Sequence, residues 1–187
     1  MHPLKNYLKF IIYAFRDLWL PKNNPLVKEN TLCIIKMDAI GDYILFRNFI
    51  EELANSSKYK DYEITLVGNI IWKELAEKLD TKWIKHFIWI DPRKFQKNFN
   101  YRKECFNTLQ KVHYSVLIHS TVSRDYYVAE TINEAILAKQ KIGSTGDLIN
   151  TSRWQKRRAD RNYTRFISIP KELYFEFEKN QFFINLK

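Results

Sequence analysis

The sequence predicts an α/β protein with a doubly wound parallel sheet, and three observations carry that expectation. Short apolar runs alternate with segments of helical spacing, the β-α-β-α order of a parallel sheet covered on both faces. The runs are apolar throughout, as strands buried on both sides are. A length of 187 residues with 45% apolar and 16% aromatic side chains gives one core that needs no disulfide or metal staple. In such a sheet ligands sit outside the carboxyl ends of the strands, so the loops that follow them are where function is sought.

The elements can be taken in order. Apolar residues at 4, 7, 8, 11, 12, 15, 18 and 19 follow the i, i+3, i+4 rule of a helix, which Pro21 stops. Lys5, Lys9 and Arg16 leave no apolar run long enough for a transmembrane span, and no secretory cleavage site follows. Its Tyr, Trp and Phe beside Lys and Arg suit a helix lying in a membrane interface; packing on its own domain is the alternative. Residues 31–36 read as a first strand, and Ile44, Leu45, Phe49, Ile50 and Leu53 predict a helix over 43–53. A second strand is expected over 62–68 with a helix over 70–79, and a third strand over 84–90, ended by Asp91-Pro92. Residues 101–112 read as helix, 115–119 as a fourth strand, 126–138 as helix and 141–143 as a short fifth strand. The division expected is residues 1–30 as a basic, aromatic helix, 31–152 as the α/β domain, and 153–187 as a basic segment with a C-terminal helix.

Charge narrows the partners. The net charge of +10 is concentrated in residues 1–30, 92–103 and 153–165, which carry local charges of +3, +5 and +5 around a nearly neutral body. Such patches attract phosphate-bearing partners: nucleic acid, anionic lipid or a phosphorylated glycan; a solvated surface is the bland alternative. Cys33 lies inside an apolar run and reads as a buried thiol in a reducing compartment, and Cys33 with Cys105 makes no disulfide framework. No His, Cys or acidic residues stand at metal-ligand spacing, so no metal is expected.

The first loop is the sharpest feature. Lys36-Met-Asp-Ala-Ile-Gly-Asp42 holds one glycine, so neither a dinucleotide fingerprint nor a phosphate loop is present and no cofactor is expected. It offers instead two acids, Asp38 and Asp42, at the end of a strand and the start of a helix, with Gly41 permitting a tight turn or close backbone approach. A carboxylate there is stabilised by the helix dipole and stays ionised, as a general base for a hydroxyl must. Capping of the helix is the alternative for either acid. After the later strands, Arg93 with Lys94, and Arg124 behind His119, Ser120, Thr121 and Ser123, are candidates for a phosphate on the same ligand; His119 itself reads as structural.

The stretch Ile34-Ile-Lys-Met-Asp-Ala-Ile-Gly-Asp-Tyr-Ile-Leu45 resembles the opening of the heptosyltransferase family of glycosyltransferases, glycosyltransferase family 9. Residues 63–67, 115–118 and 141–143 look like that family's second, fourth and fifth strands. Leu173-Tyr-Phe-Glu-Phe-Glu-Lys-Asn180 is similar to its His-Glu-x-x-Arg-Asn helix, with Phe175 in place of His and Lys179 in place of Arg. The resemblance runs from about residue 31 to 187 and implies one Rossmann-like half of a two-domain GT-B enzyme. In that family the N-terminal half binds the sugar acceptor, often a lipopolysaccharide core, and the C-terminal half binds the nucleotide sugar, commonly ADP-heptose. The resemblance places the catalytic base at Asp42, with inversion by in-line displacement and no bound metal, and gives Asp38 the task of orienting the loop or the acceptor. Nothing in the sequence corresponds to the donor-binding half, so a separate C-terminal-type chain is an expected partner. The expected location is cytoplasmic, peripheral on the inner face of the inner membrane.

Two other classes compete. A non-catalytic acceptor-binding or scaffold module of the same fold needs no donor half. A nucleic-acid-binding module would use Arg153-Trp-Gln-Lys-Arg-Arg158 with Tyr101, Tyr126 and Tyr127, but no signature of a known nucleic-acid-binding fold is present, which disfavours it.

Overall fold

Six strands form one parallel sheet: β1 (Val27–Lys36), β2 (Glu63–Asn69), β3 (His86–Ile90), β4 (His113–His119), β5 (Leu137–Ser144) and β6 (Arg165–Ile167). Their order across the sheet is β3-β2-β1-β4-β5-β6, the Rossmann-like arrangement in which the direction of winding reverses between β1 and β4. The computed structural model describes residues 11–13, 17 and 19–185. The helix expected over 4–20 falls largely outside them; residues 11–13 and 17 are helical.

The helices are α1 (Ile40–Asn55), α2 (Lys73–Leu79) behind a 3-10 turn, α3 (Pro92–Lys97), α4 (Phe99–Leu109), a π-helical turn (Tyr126–Glu130) running into α5 (Thr131–Ala135), α6 (Arg153–Asp160) and α7 (Glu176–Asn185). Successive strand residues point to opposite faces, so β1 feeds two cores at once. Leu32 and Ile34 meet Phe46, Phe49, Trp72 and Phe183 on the first face, under α1, α2 and α7. Cys33 and Ile35 meet Phe95, Phe106, Val128 and Ile132 on the second face, under α3, α4, the π turn and α5. Burial drives the Cys33 thiol far above its ordinary range and keeps it protonated.

Several boundaries differ from the sequence expectation for local reasons. β1 starts at Val27, before an irregularity at Asn30, whose φ of 53° shifts the β1–β4 register. Ser115 and Thr31 close that irregularity by bonding each other and the Lys28 carbonyl. The helix expected over 101–112 is α4, Phe99–Leu109, capped by Asn98, and a further helix, α3, precedes it because the Asp91 carboxylate accepts from the Arg93 and Lys94 amides. Residues 126–138 give only the π turn and α5, because β5 takes the chain from Leu137 to pair along β4. Residues 153–187, expected as a basic segment with a C-terminal helix, also carry β6, which extends the sheet beside β5, and Ile167, Phe183 and Ile184 fill the first-face core.

Candidate functional site

The crevice at the winding reversal lies between the carboxyl ends of β1 and β4. Thr121, just past β4, donates its hydroxyl to Asp38 Oδ2, just past β1, across 2.7 Å. The loop between β1 and α1 is also held from the β2 side. Asn69 Nδ2 donates to the Met37 carbonyl at 3.3 Å, and Trp72 Nε1 donates to the Asp38 carbonyl at 3.1 Å. The Trp72 indole stacks on Tyr43 with ring centroids 4.0 Å apart and lies over Gly68, where a Cβ would stand 2.2 Å from it. Gly68 is therefore the close approach that lets β2 carry this clamp.

Lys36 ends β1 on the same face as Leu32 and Ile34, so strand parity turns its side chain into the first-face core, where it is 0% exposed. Its ammonium lies 3.0 Å from Asp38 Oδ2, 3.8 Å from Glu176 Oε1 and 5.0 Å from the centre of the Phe46 ring. Burial alone would push the Asp38 carboxyl up; Lys36 and the Thr121 hydroxyl outweigh it and hold the group below its ordinary range, ionised. Glu176 responds oppositely. Burial raises it, Lys36 and Lys179 oppose, and the charges of Asp38 and Asp42 raise it further. Two carboxylates, Asp38 and Glu176, thus share the reach of one buried ammonium. Asn180, one turn after Glu176, receives the Ser120 hydroxyl at 3.3 Å and ties α7 to the end of β4.

Asp42 lies in the first turn of α1, half-buried, at the positive end of the helix dipole. Among the described residues no hydrogen bond or ion pair involves its carboxylate, in contrast to Asp38, whose oxygen is already committed. Gly41 is exposed, has no positive φ, and sits inside α1, so it serves no tight turn; a Cβ there would meet nothing within 4 Å.

The other expected contacts separate. Arg93 and Lys94 are exposed on the same carboxyl edge but at β3, two strands from β1, in a groove with Lys97, Asn98 and Phe99. Arg124 does not face the crevice. It is 2% exposed, its guanidinium 2.9 Å from Glu130 and 2.7 Å from Asp160, because the π turn and α6 bring both carboxylates under the second face. His119 is fully buried, its Nδ1 2.7 Å from the Tyr163 hydroxyl. Burial and the neighbouring Arg124 push its pKa down to about 3, so it is a neutral structural histidine. Among the described residues no group of three or more His, Cys, Asp or Glu is placed to hold a metal ion.

The sequence reading passed over Lys36, Thr121, Glu176 and Asn180 as site residues. Two periodicities pointed to three of them: the period of two along β1, which puts Lys36 in line with buried Ile34, and the i, i+4 spacing of Glu176 and Asn180, which puts both on one face of α7; Thr121, in a loop, carried no such signal.

No family model and no curated protein matches the sequence. Solved structures do match the fold. Escherichia coli heptosyltransferase WaaC with ADP-2-deoxy-2-fluoro heptose superposes with a TM-score of 0.60 at 17% identity, over 83% of this chain and 47% of that one. The same enzyme with ADP gives 0.55 at 17% identity. A glycosyl transferase family 9 protein from Veillonella parvula DSM 2008 gives 0.62 at 14% identity, over 87% of this chain and 42% of that one. The chain spans less than half the length of these structures.

Proposed function

We infer that this chain is the acceptor-binding, base-carrying half of a glycosyltransferase of the heptosyltransferase-like type. Its substrates are a nucleotide sugar, bound by a complementary half, and a hydroxyl of a lipopolysaccharide-type glycan. The observation that carries the reading is an uncommitted carboxylate, Asp42, on the first turn of the helix after β1, at the winding reversal of a fold that superposes on two such transferases. Asp42 accepts the acceptor hydroxyl's proton as that oxygen attacks the anomeric carbon and the nucleoside diphosphate leaves from the opposite side. The Asp38–Lys36–Thr121 set does not move the proton; it fixes the loop that presents Asp42. Arg93 and Lys94 offer cations to an acceptor phosphate further along the edge. The chemistry needs no metal, because the charge developing on the leaving diphosphate is met by the donor half.

The test is sugar transfer from an ADP-activated heptose to a lipopolysaccharide-core acceptor, by the full chain alone and mixed with a donor-binding half. Asp42→Asn should lower the rate of the active mixture by at least about a hundredfold, the scale of a lost general base, with acceptor binding retained. Transfer unaffected by Asp42→Asn removes Asp42 as base. Acceptor binding without transfer under any pairing makes the chain a non-catalytic acceptor module.

A further inference from the structure

Two of the basic stretches, 92–103 and 153–165, lie on elements that cover the second face of the sheet: α3 with α4, and α6, whose Trp154 packs on Tyr126 of the π turn. Tyr13 lies against that face: its hydroxyl donates to the Gln96 carbonyl of α3 at 2.7 Å, and its ring stands 5.2 Å from that of Tyr127 in the π turn. Asp17 receives both Nε and a terminal nitrogen of the buried Arg102 of α4, at 2.8 and 2.6 Å. Ile11, Ile12 and Trp19 are exposed, as are Arg93, Lys94 and Lys97.

α6 completes the face. Gln155 and Ala159 are its buried side, so at about 100° per residue Arg153 and Arg157 lie roughly opposite, and Arg161 continues their line one turn on. All three are exposed. The one acid of this helix does not neutralise them: Asp160 is taken inward by Arg124 and by Lys156, each at 2.7 Å. The loop entering α6 is held rigidly. The Asp147 amide donates to the Val122 carbonyl at 3.1 Å, Ser123 donates to the Asp147 carboxylate at 2.6 Å, and Asn150 donates to the Ser123 carbonyl at 2.8 Å. So pinned, the loop presents Leu148 and Ile149 outward, the latter 78% exposed.

We propose that this face docks on an anionic lipid bilayer, with Arg153, Arg157 and Arg161 against the headgroups and Leu148 and Ile149 entering the interface. Charge complementarity selects a polyanionic surface, and each cation near such a surface adds to the attraction. The aliphatic pair selects lipid over nucleic acid: a bilayer offers an apolar layer beneath its phosphates, whereas a single strand offers stacking planes to aromatic side chains. This docking does not depend on the chain transferring sugar. It requires only the surface.

The test is co-sedimentation of the full chain with phosphatidylglycerol–phosphatidylcholine vesicles against pure phosphatidylcholine, with no glycan or nucleotide present. The wild type should bind the anionic vesicles and release them as salt rises. Replacing Arg153, Arg157 and Arg161 together by Gln should weaken binding at least about tenfold, and Ile149→Asp should weaken it without altering net charge on α6. A control removes as many charges from the first-face side and the sheet's opposite end, Lys60, Lys78 and Lys82→Gln, and should bind as the wild type does. Equal loss in the control overturns the proposal in favour of net charge alone. Binding to a single-stranded oligonucleotide in place of vesicles overturns it in favour of nucleic acid. Far-UV circular dichroism and melting confirm that each variant is folded, so lost binding reports on the surface.

Discussion

At the level of single residues, the site is governed by one lysine in a place where lysines are rarely found. Lys36 is fully buried and faces Asp38 and Glu176, so removing its charge leaves Asp38 without its paired ammonium and Glu176 with Lys179 alone, 4.0 Å away. Lys36→Met should cost about 3 kcal/mol of stability, the scale of breaking a buried pair from one side, read by denaturant unfolding. The pH dependence identifies the partner. The folded pKa of Asp38 is depressed, so its contribution is present above the unfolded value of 3.8 and is lost as pH falls through the folded value. The gap between wild type and Lys36→Met should therefore narrow below about pH 3.8 as Asp38 protonates. A gap that stays constant down to acid unfolding means that Lys36 stabilises through its methylenes and not through its charge. The motif containing Lys36, Gly41 and Asp42 was readable from the sequence, but the division of labour was not. Asp38 and Asp42 look alike there, and only the fold shows that Thr121, 83 positions away, occupies one and leaves the other open.

At the level of elements, α1 and α7 are where sequence periodicity was informative and where it ran short. Apolar spacing located the body of α1, yet its start at Ile40 puts Gly41 inside the helix, where its freedom to take positive φ is unused. That makes Gly41 a discriminating position. Alanine at an unstrained helical site usually stabilises, by about 0.4–1 kcal/mol, and here its methyl group has open space around it. Gly41→Ala should thus leave melting unchanged or raised while lowering sugar transfer, with the loss in acceptor KM if the acceptor packs against that backbone. Transfer kinetics at wild-type values would mean that the acceptor approaches Asp42 from another side. The run that ends in Arg165 read as a basic segment, followed by a C-terminal helix. Pairing of β6 with β5 and packing of Phe183 made both part of the core. Long-range pairing of this kind leaves no mark in local composition. Arg124 shows the same limit from the other side, since its burial depends on Glu130 and Asp160 arriving from two separate elements.

At the level of the whole molecule, the fold class was legible because strand parity and element order are local properties that sum to a topology. What lies around the site was not, because it depends on which loops the topology collects at one edge. Those loops gather exposed apolar side chains beside Asp42: Ile40 after β1, Ile70 and Ile71 after β2, and Tyr174 and Phe175 ahead of α7. Exposure of that many large side chains at one edge is costly unless something covers them. A facing donor-binding half would supply that cover and exclude water from the proton transfer. Replacing Ile71 and Phe175 by Asp tests this. Both side chains are mostly exposed, so the isolated chain should keep its stability to within about 0.5 kcal/mol. The concentration of donor-binding half needed for half-maximal transfer should rise at least about tenfold, the effect of losing anchor contacts at an interface, while the rate at saturation holds. A fall in the saturated rate with unchanged concentration dependence would assign these side chains to the acceptor and not to the facing half.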